Sequence, residues 1–164
     1  MEAQSRRNLL KNAAKVAAAA ATVSAGSAVV AKSAPAQMEK PTKKAYPAAG
    51  AVVNPAAPPK PYSPAISFGN LLFLSGIGSA IKGTIEEQTK WVLDEIEKNL
   101  IADGSSMDKV LKVTVFLADI GDWAKMNSVY MGRFGKVPPV RTTVATANGI
   151  VGGALIEVDC IAYI

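Results

Sequence analysis

Eight of the ten prolines in this chain fall before residue 65, and the other two stand together as Pro138-Pro139. Proline fixes φ and removes a backbone donor, so this clustering separates a tail from a core. The folding unit is then residues 61–164, about a hundred residues with room for one modest core. Charge divides at the same place. Residues 1–60 hold nine Lys or Arg against two Glu, a net +7; residues 61–164 hold nine against eleven Asp or Glu, a net −2. The overall +5 belongs to the leader, and the folding unit lacks the positive excess that nucleic acid requires.

Within the leader, Ser5-Arg6-Arg7-Asn8-Leu9-Leu10-Lys11 matches the twin-arginine export pattern. A weakly apolar, Ala-rich stretch follows over residues 16–30, too short and too mildly hydrophobic for a stable membrane span. Ala34-Pro35-Ala36 then presents small residues where a signal peptidase reads. Residues 1–36 are therefore read as a twin-arginine signal peptide, cleaved before Gln37, with a periplasmic product. The plainer alternative is an amphipathic Ala-rich helix with accidental arginines. Residues 37–60, with five prolines, are expected to form a disordered linker.

Beyond residue 60 the pattern becomes periodic. Residues 64–68 and 71–75 are short apolar runs around Gly69-Asn70, a two-residue hairpin signal. Thr84-Ile85-Glu86-Glu87 reads as a capping box, followed by Ile85, Val92, Ile96 and Leu100 at helical spacing and Gly104 as the stop. Residues 110–118 alternate and are β-branched, a strand. A second helix is expected from Asp122, with Trp123, Met126, Tyr130 and Phe134 as its core stripe, closed by Gly135. Residues 140–146 and 154–164 supply two more strands. The order β-β-α-β-α-β-β predicts an α+β fold, a single mixed sheet with two helices on one face. The other face, carrying Leu155, Ile161 and Tyr163, predicts an oligomer.

No histidine occurs anywhere, which removes Ser-His-Asp and Cys-His nucleophiles, His-ligated zinc and imidazole acid–base work. The single cysteine, Cys160, lies in an alternating apolar run and reads as a buried strand thiol. Two residues are better placed for chemistry. Arg141 begins a strand after the double proline, with apolar and threonine neighbours, and suits bidentate capture of a carboxylate. The competing reading is an ordinary salt-bridge arginine. Glu157, set inside an apolar strand, suits acid–base work, or else is an edge charge that discourages aggregation. Gly76-Ile77-Gly78-Ser79 lacks the spacing and lysine of a phosphate loop, and the aspartates lack calcium-loop spacing.

Taken together, Tyr62-Ser63-Pro64-Ala65-Ile66, Leu74-Ser75-Gly76, the run from Gly83 to Thr89, Val113 to Asp119, Asn127-Ser128-Val129-Tyr130, Pro138-Pro139-Val140-Arg141-Thr142 and Glu157 to Ala162 resemble the RidA (YjgF-like) family of reactive intermediate deaminases. The resemblance spans nearly all of residues 61–164. It implies a chorismate-mutase-like fold assembled as a homotrimer with sites in the clefts between subunits. It also implies hydrolysis of 2-imino acids and their enamine tautomers to 2-oxo acids and ammonia, without metal or cofactor. By position, Arg141 corresponds to the carboxylate-binding arginine and Glu157 to the acid that orients water. Tyr62, Ser75 and Gly76 fall on substrate-pocket positions, Asn127 on a frequently retained polar one, and Thr143 where the family often has Cys. Ile77 replaces a common Gln, which is expected to reshape the pocket mouth. The rival class is an exported trimer that binds a small ligand, or acts as a chaperone, without catalysis.

Overall fold

A computed structural model describes residues 40–164, and the leader expected over residues 1–36 lies outside the described residues. Gly69, at φ +62°, turns the chain in two residues, so that β2 (Ala65–Phe68) and β3 (Leu71–Gly78) pair antiparallel from Phe68–Leu71 onward. β3 runs further than its apolar stretch suggests. Leu74 faces Cys160 and Ile77 faces Val158, so three steps along β3 match two along its neighbour. This is a β-bulge at Ser75-Gly76, and the Gly76-Ile77-Gly78 segment is strand, not a loop.

Helix α1 (Ile85–Ala102) begins on the expected capping box: the Glu87 amide donates to Thr84 Oγ1 at 3.3 Å, and the Thr84 amide to Glu87 Oε2 at 2.8 Å. Its buried face includes Ile85, Val92, Leu93, Ile96 and Leu100. Gln88 is buried too. Its side chain accepts from the Leu155 amide at 2.9 Å and donates to the Gly83 carbonyl at 3.3 Å, pinning the entry of the last strand beneath the helix. Strand β4 (Val110–Leu117), helix α2 (Trp123–Tyr130) and β5 (Val140–Ala145) form a parallel crossover. β6 (Ile156–Tyr163) then inserts antiparallel between β3 and β4.

A further strand, β1 (Lys43–Tyr46), corrects the expectation of a structureless linker at those residues. Its backbone pairs with the otherwise open edge of β2, and the Tyr46 hydroxyl meets Ser67 Oγ at 3.2 Å. Pro41 and Pro47 flank it without entering the ladder. The sheet order is β1-β2-β3-β6-β4-β5. Leu72, Leu74, Val113, Val115, Leu117, Ile156, Val158 and Cys160 pack beneath both helices, as a mixed sheet with helices on one face requires.

The aromatic stripe departs from expectation. α2 stops at Tyr130, so Phe134 reaches the core from the following loop, and Trp123, in the first turn after a 3₁₀ turn, is 49% exposed. Leu155 also packs against the core instead of the open face. That open face still carries Phe68, Val140, Val144 and Tyr163 exposed to solvent. Among the described residues, no helix is long and apolar enough to cross a membrane.

Candidate active site

Arg141 is placed by pairing. It lies beside Val113 in the parallel β4–β5 ladder, and neighbours in register share a face, so its side chain rises on the helix-bearing side at the sheet edge. There Nη1 donates to Asn127 Oδ1 at 2.8 Å, and the guanidinium carbon stands 4.5 Å from the centre of the Tyr130 ring. Tyr130 rests in turn on Phe134, ring centres 4.9 Å apart. Asn127 and Tyr130 are three apart on α2, hence neighbours on one helix face, and together they hold the guanidinium from its edge and from below. Arg141 forms no ion pair with a carboxylate among the described residues, whereas Arg133 is paired with Asp94 and Glu97. The salt-bridge alternative thus finds no acidic partner for Arg141 among the described residues.

Beside Arg141 lies a cavity of about 600 Å³, walled largely by Trp123, Ala124, Met131, Phe134 and Pro138-Pro139. Two hydroxyl oxygens on the same side of the sheet are buried without an acceptor among the described residues, Tyr130 Oη, which lies against Arg141, and Thr143 Oγ1, two residues further along β5. Burial pushes the Tyr130 hydroxyl up to about 12, with the Arg141 charge partly opposing the rise. It is a donor at any physiological pH.

Glu157 belongs to a second group. It pairs with Gly78 on β3 and Phe116 on β4, and alternation along β6 turns it to the helix-free face. Its carboxylate fills the space above Gly76. A Cβ built there would overlap Oε1 and stand 2.9 Å from Cδ. Gly76 is thus needed for what it lacks, because the bulge brings its backbone directly under the acid. Tyr62, Ser75 and Gly76 line a separate depression with Glu95 and Asn99 of α1, which Glu157 meets only through Gly76 and Gly78, and Tyr62 there is largely exposed. Ile77 borders the same depression while its side chain packs against the core.

The predicted site residues therefore form two clusters. Arg141, Asn127 and Thr143 lie on the helix-bearing side at one sheet edge; Tyr62, Ser75 and Gly76 share a depression with α1, and Glu157 meets Gly76 from the helix-free face. One chain does not bring Arg141 and Glu157 together. Sequence reasoning assigned Tyr130 to the core alone and missed its place beneath Arg141; its spacing of three from Asn127 was the available signal. Cys160 is buried and its thiol is pushed up to about 12 by burial, with Asp159 adding to the rise, so a thiolate nucleophile is unavailable. No cluster of potential metal ligands occurs among the described residues.

A family model described as Endoribonuclease L-PSP matches residues 53–164. A RutC family protein of Pyrococcus horikoshii is 43% identical over 117 residues, 67% of this chain and 92% of its own. The chloroplastic Reactive Intermediate Deaminase A of Arabidopsis thaliana is 37% identical over 109 residues, 62% of this chain and 58% of its own length. The crystal structure of yeast Mmf1 superposes with a TM-score of 0.64 at 30% identity, covering 74% of this chain and 98% of that one.

Proposed function

This chain belongs to the RidA/YjgF family, described as Endoribonuclease L-PSP, and from that premise we propose that it is a deaminase that hydrolyses 2-imino acids and their enamine tautomers. The observation that carries this reading is the Arg141 guanidinium, mounted on Asn127 and Tyr130 with no acidic partner among the described residues. A guanidinium fixed in this way is pre-organised for the carboxylate of a 2-imino acid. The neighbouring imine carbon is already electrophilic. Water placed by Glu157 adds to it, the C–N bond of the resulting carbinolamine breaks, and ammonia leaves behind a 2-oxo acid. Neither histidine nor a metal is needed for these steps.

Because Arg141 and Glu157 project from opposite faces, this chemistry requires two copies of the chain, one supplying the arginine and the next the acid. A homotrimer with sites in its clefts meets that requirement, and Phe68, Val140, Val144 and Tyr163 give the helix-free face apolar surface to bury in such contacts. Ribonuclease chemistry fits less well, since residues 61–164 carry a net −2 and the chain has no histidine. Export by the twin-arginine route, resting on Arg6 and Arg7, completes the proposal and would place the enzyme in the periplasm.

The direct test generates 2-imino acids in situ with an amino-acid oxidase and follows 2-oxo acid release with and without the protein. Acceleration that disappears in Arg141→Ala supports the reading. Losing a buried charge-assisted pair costs about 2–5 kcal/mol, enough to abolish weak carboxylate binding. Carboxylate binding without acceleration would instead leave a non-catalytic binding trimer.

A further inference from the structure

We infer that the cavity beside Arg141 is a side-chain subsite, and that the carboxylate held there belongs to a molecule carrying a large apolar group, branched alkyl or aryl. The inference rests on the deaminase reading for its 2-imino acid, and goes beyond it in naming which 2-imino acids.

Three observations converge on it. The first is the inventory of free donors. Arg141 has five N–H groups, and only Nη1 meets an acceptor among the described residues. Tyr130 is 8% exposed, and its hydroxyl is buried with only the Arg141 guanidinium beside it. Buried hydroxyls without an acceptor are rare in folded proteins, and the Tyr130 hydroxyl and the Arg141 guanidinium, side by side at the cavity, suit a shared acceptor. A carboxylate supplies two acceptor oxygens and the charge opposite to Arg141.

The second is the character of the wall. Asn127 Oδ1 is already used by Arg141, and apart from the Tyr130 hydroxyl and the Trp123 indole N–H the remaining side chains around the cavity are apolar. Trp123 and Met131 at its rim are 49% and 73% exposed, whereas Met126 and Tyr130, on the same helix as Trp123, are buried. An indole and a thioether left at the mouth of a hole have apolar surface still to cover. Beyond the groups at the arginine, the Trp123 indole N–H is the one hydrogen-bonding side-chain group on that wall.

The third is size. About 600 Å³ lies within the range of about 300–1,000 Å³ typical of small-molecule sites. A methyl group, as in the imine of alanine, would leave most of that wall in contact with water. A branched or aromatic side chain fills it.

The experiment measures calorimetric affinity of the full-length protein for four stable product acids: pyruvate, 2-oxobutanoate, 4-methyl-2-oxopentanoate and phenylpyruvate. Affinity should rise about fourfold for each methylene buried, so that 4-methyl-2-oxopentanoate binds tens of times more tightly than pyruvate. Ala124→Leu should lower that ratio towards one by filling the cavity. Residue 124 is exposed on α2 and leucine is a good helix former, so the variant should keep its fold, which circular dichroism checks. Equal affinities for the four acids, or an unchanged ratio in Ala124→Leu, would overturn the subsite while leaving the deaminase reading standing, provided that Arg141→Ala abolishes pyruvate binding. Absence of binding by all four acids, or full binding by Arg141→Ala, would remove the carboxylate site itself and the inference with it.

Discussion

Arg141→Ala and Glu157→Gln should each inactivate the protein alone, yet restore activity when combined in one assembly. The two residues leave the sheet on opposite faces: Arg141 beside Val113 under α2, and Glu157 beside Phe116 on the helix-free side. On the proposed mechanism, a working site takes its arginine from one chain and its acid from another. In an assembly formed at random from equal amounts of the two variants, half the arginines and half the acids are intact. About one quarter of the sites then pair an intact arginine with an intact acid. The Glu157→Gln parent should fall by roughly 10²–10⁴ in turnover, the scale for losing a positioned acid–base group. The mixture should therefore exceed either parent by at least tens of times. Co-expression with two different tags, purification over both, and the oxidase-coupled assay measure this, with light scattering reporting the assembly state. A mixture no more active than the mean of its parents would refute the composite site, as would a stable monomer that retains full activity.

Three further outcomes are expected. Gly76→Ala places a Cβ where the Glu157 carboxylate lies, so turnover should drop towards the Glu157→Gln level while 2-oxo acid affinity, set at Arg141, stays within a few-fold; equal losses of both would show that the fold, not the acid, had moved. Burial holds the Cys160 thiol and Tyr130 hydroxyl up at about 12, against ordinary values of 9.0 and 10.0. Both stay neutral in the folded protein where the unfolded chain ionises, so their contribution is complete below about pH 9 and is lost as pH rises from there through about 12. Urea midpoints should fall across that window, less steeply in Cys160→Ala, and a midpoint that climbed instead would contradict the assignment. Arg6→Lys combined with Arg7→Lys should hold the protein in the cytoplasm, and undiminished periplasmic recovery on fractionation would dismiss the export proposal.

Much of the architecture was legible because local rules governed it. Gly69-Asn70 is a two-residue reversal in any context, Thr84 and Glu87 cap a helix by their spacing alone, and alternation along residues 156–163 fixed which side chains share a face. The same alternation put Glu157 with Asp159, Leu155 and Ile161 on one mixed face, without deciding which face the helices cover. What remained hidden depended on partners distant in sequence. β1 exists because the edge of β2 offers backbone groups to it, which no feature of Lys43–Tyr46 announces. The bulge at Ser75-Gly76 appears only when β3 is laid against β6, and only then does Gly76 become the floor beneath Glu157. Tyr130 reads as core by periodicity. Its second task, beneath the arginine, arises because β5 returns parallel to β4 and brings Arg141 under α2. Sequence by itself determined which residues carry the charges and on which side of a strand each one stands. Only the tertiary structure decided that Arg141 and Glu157 face away from each other, because strand order and register, set by contacts across the whole chain, determine which face each strand presents to the helices.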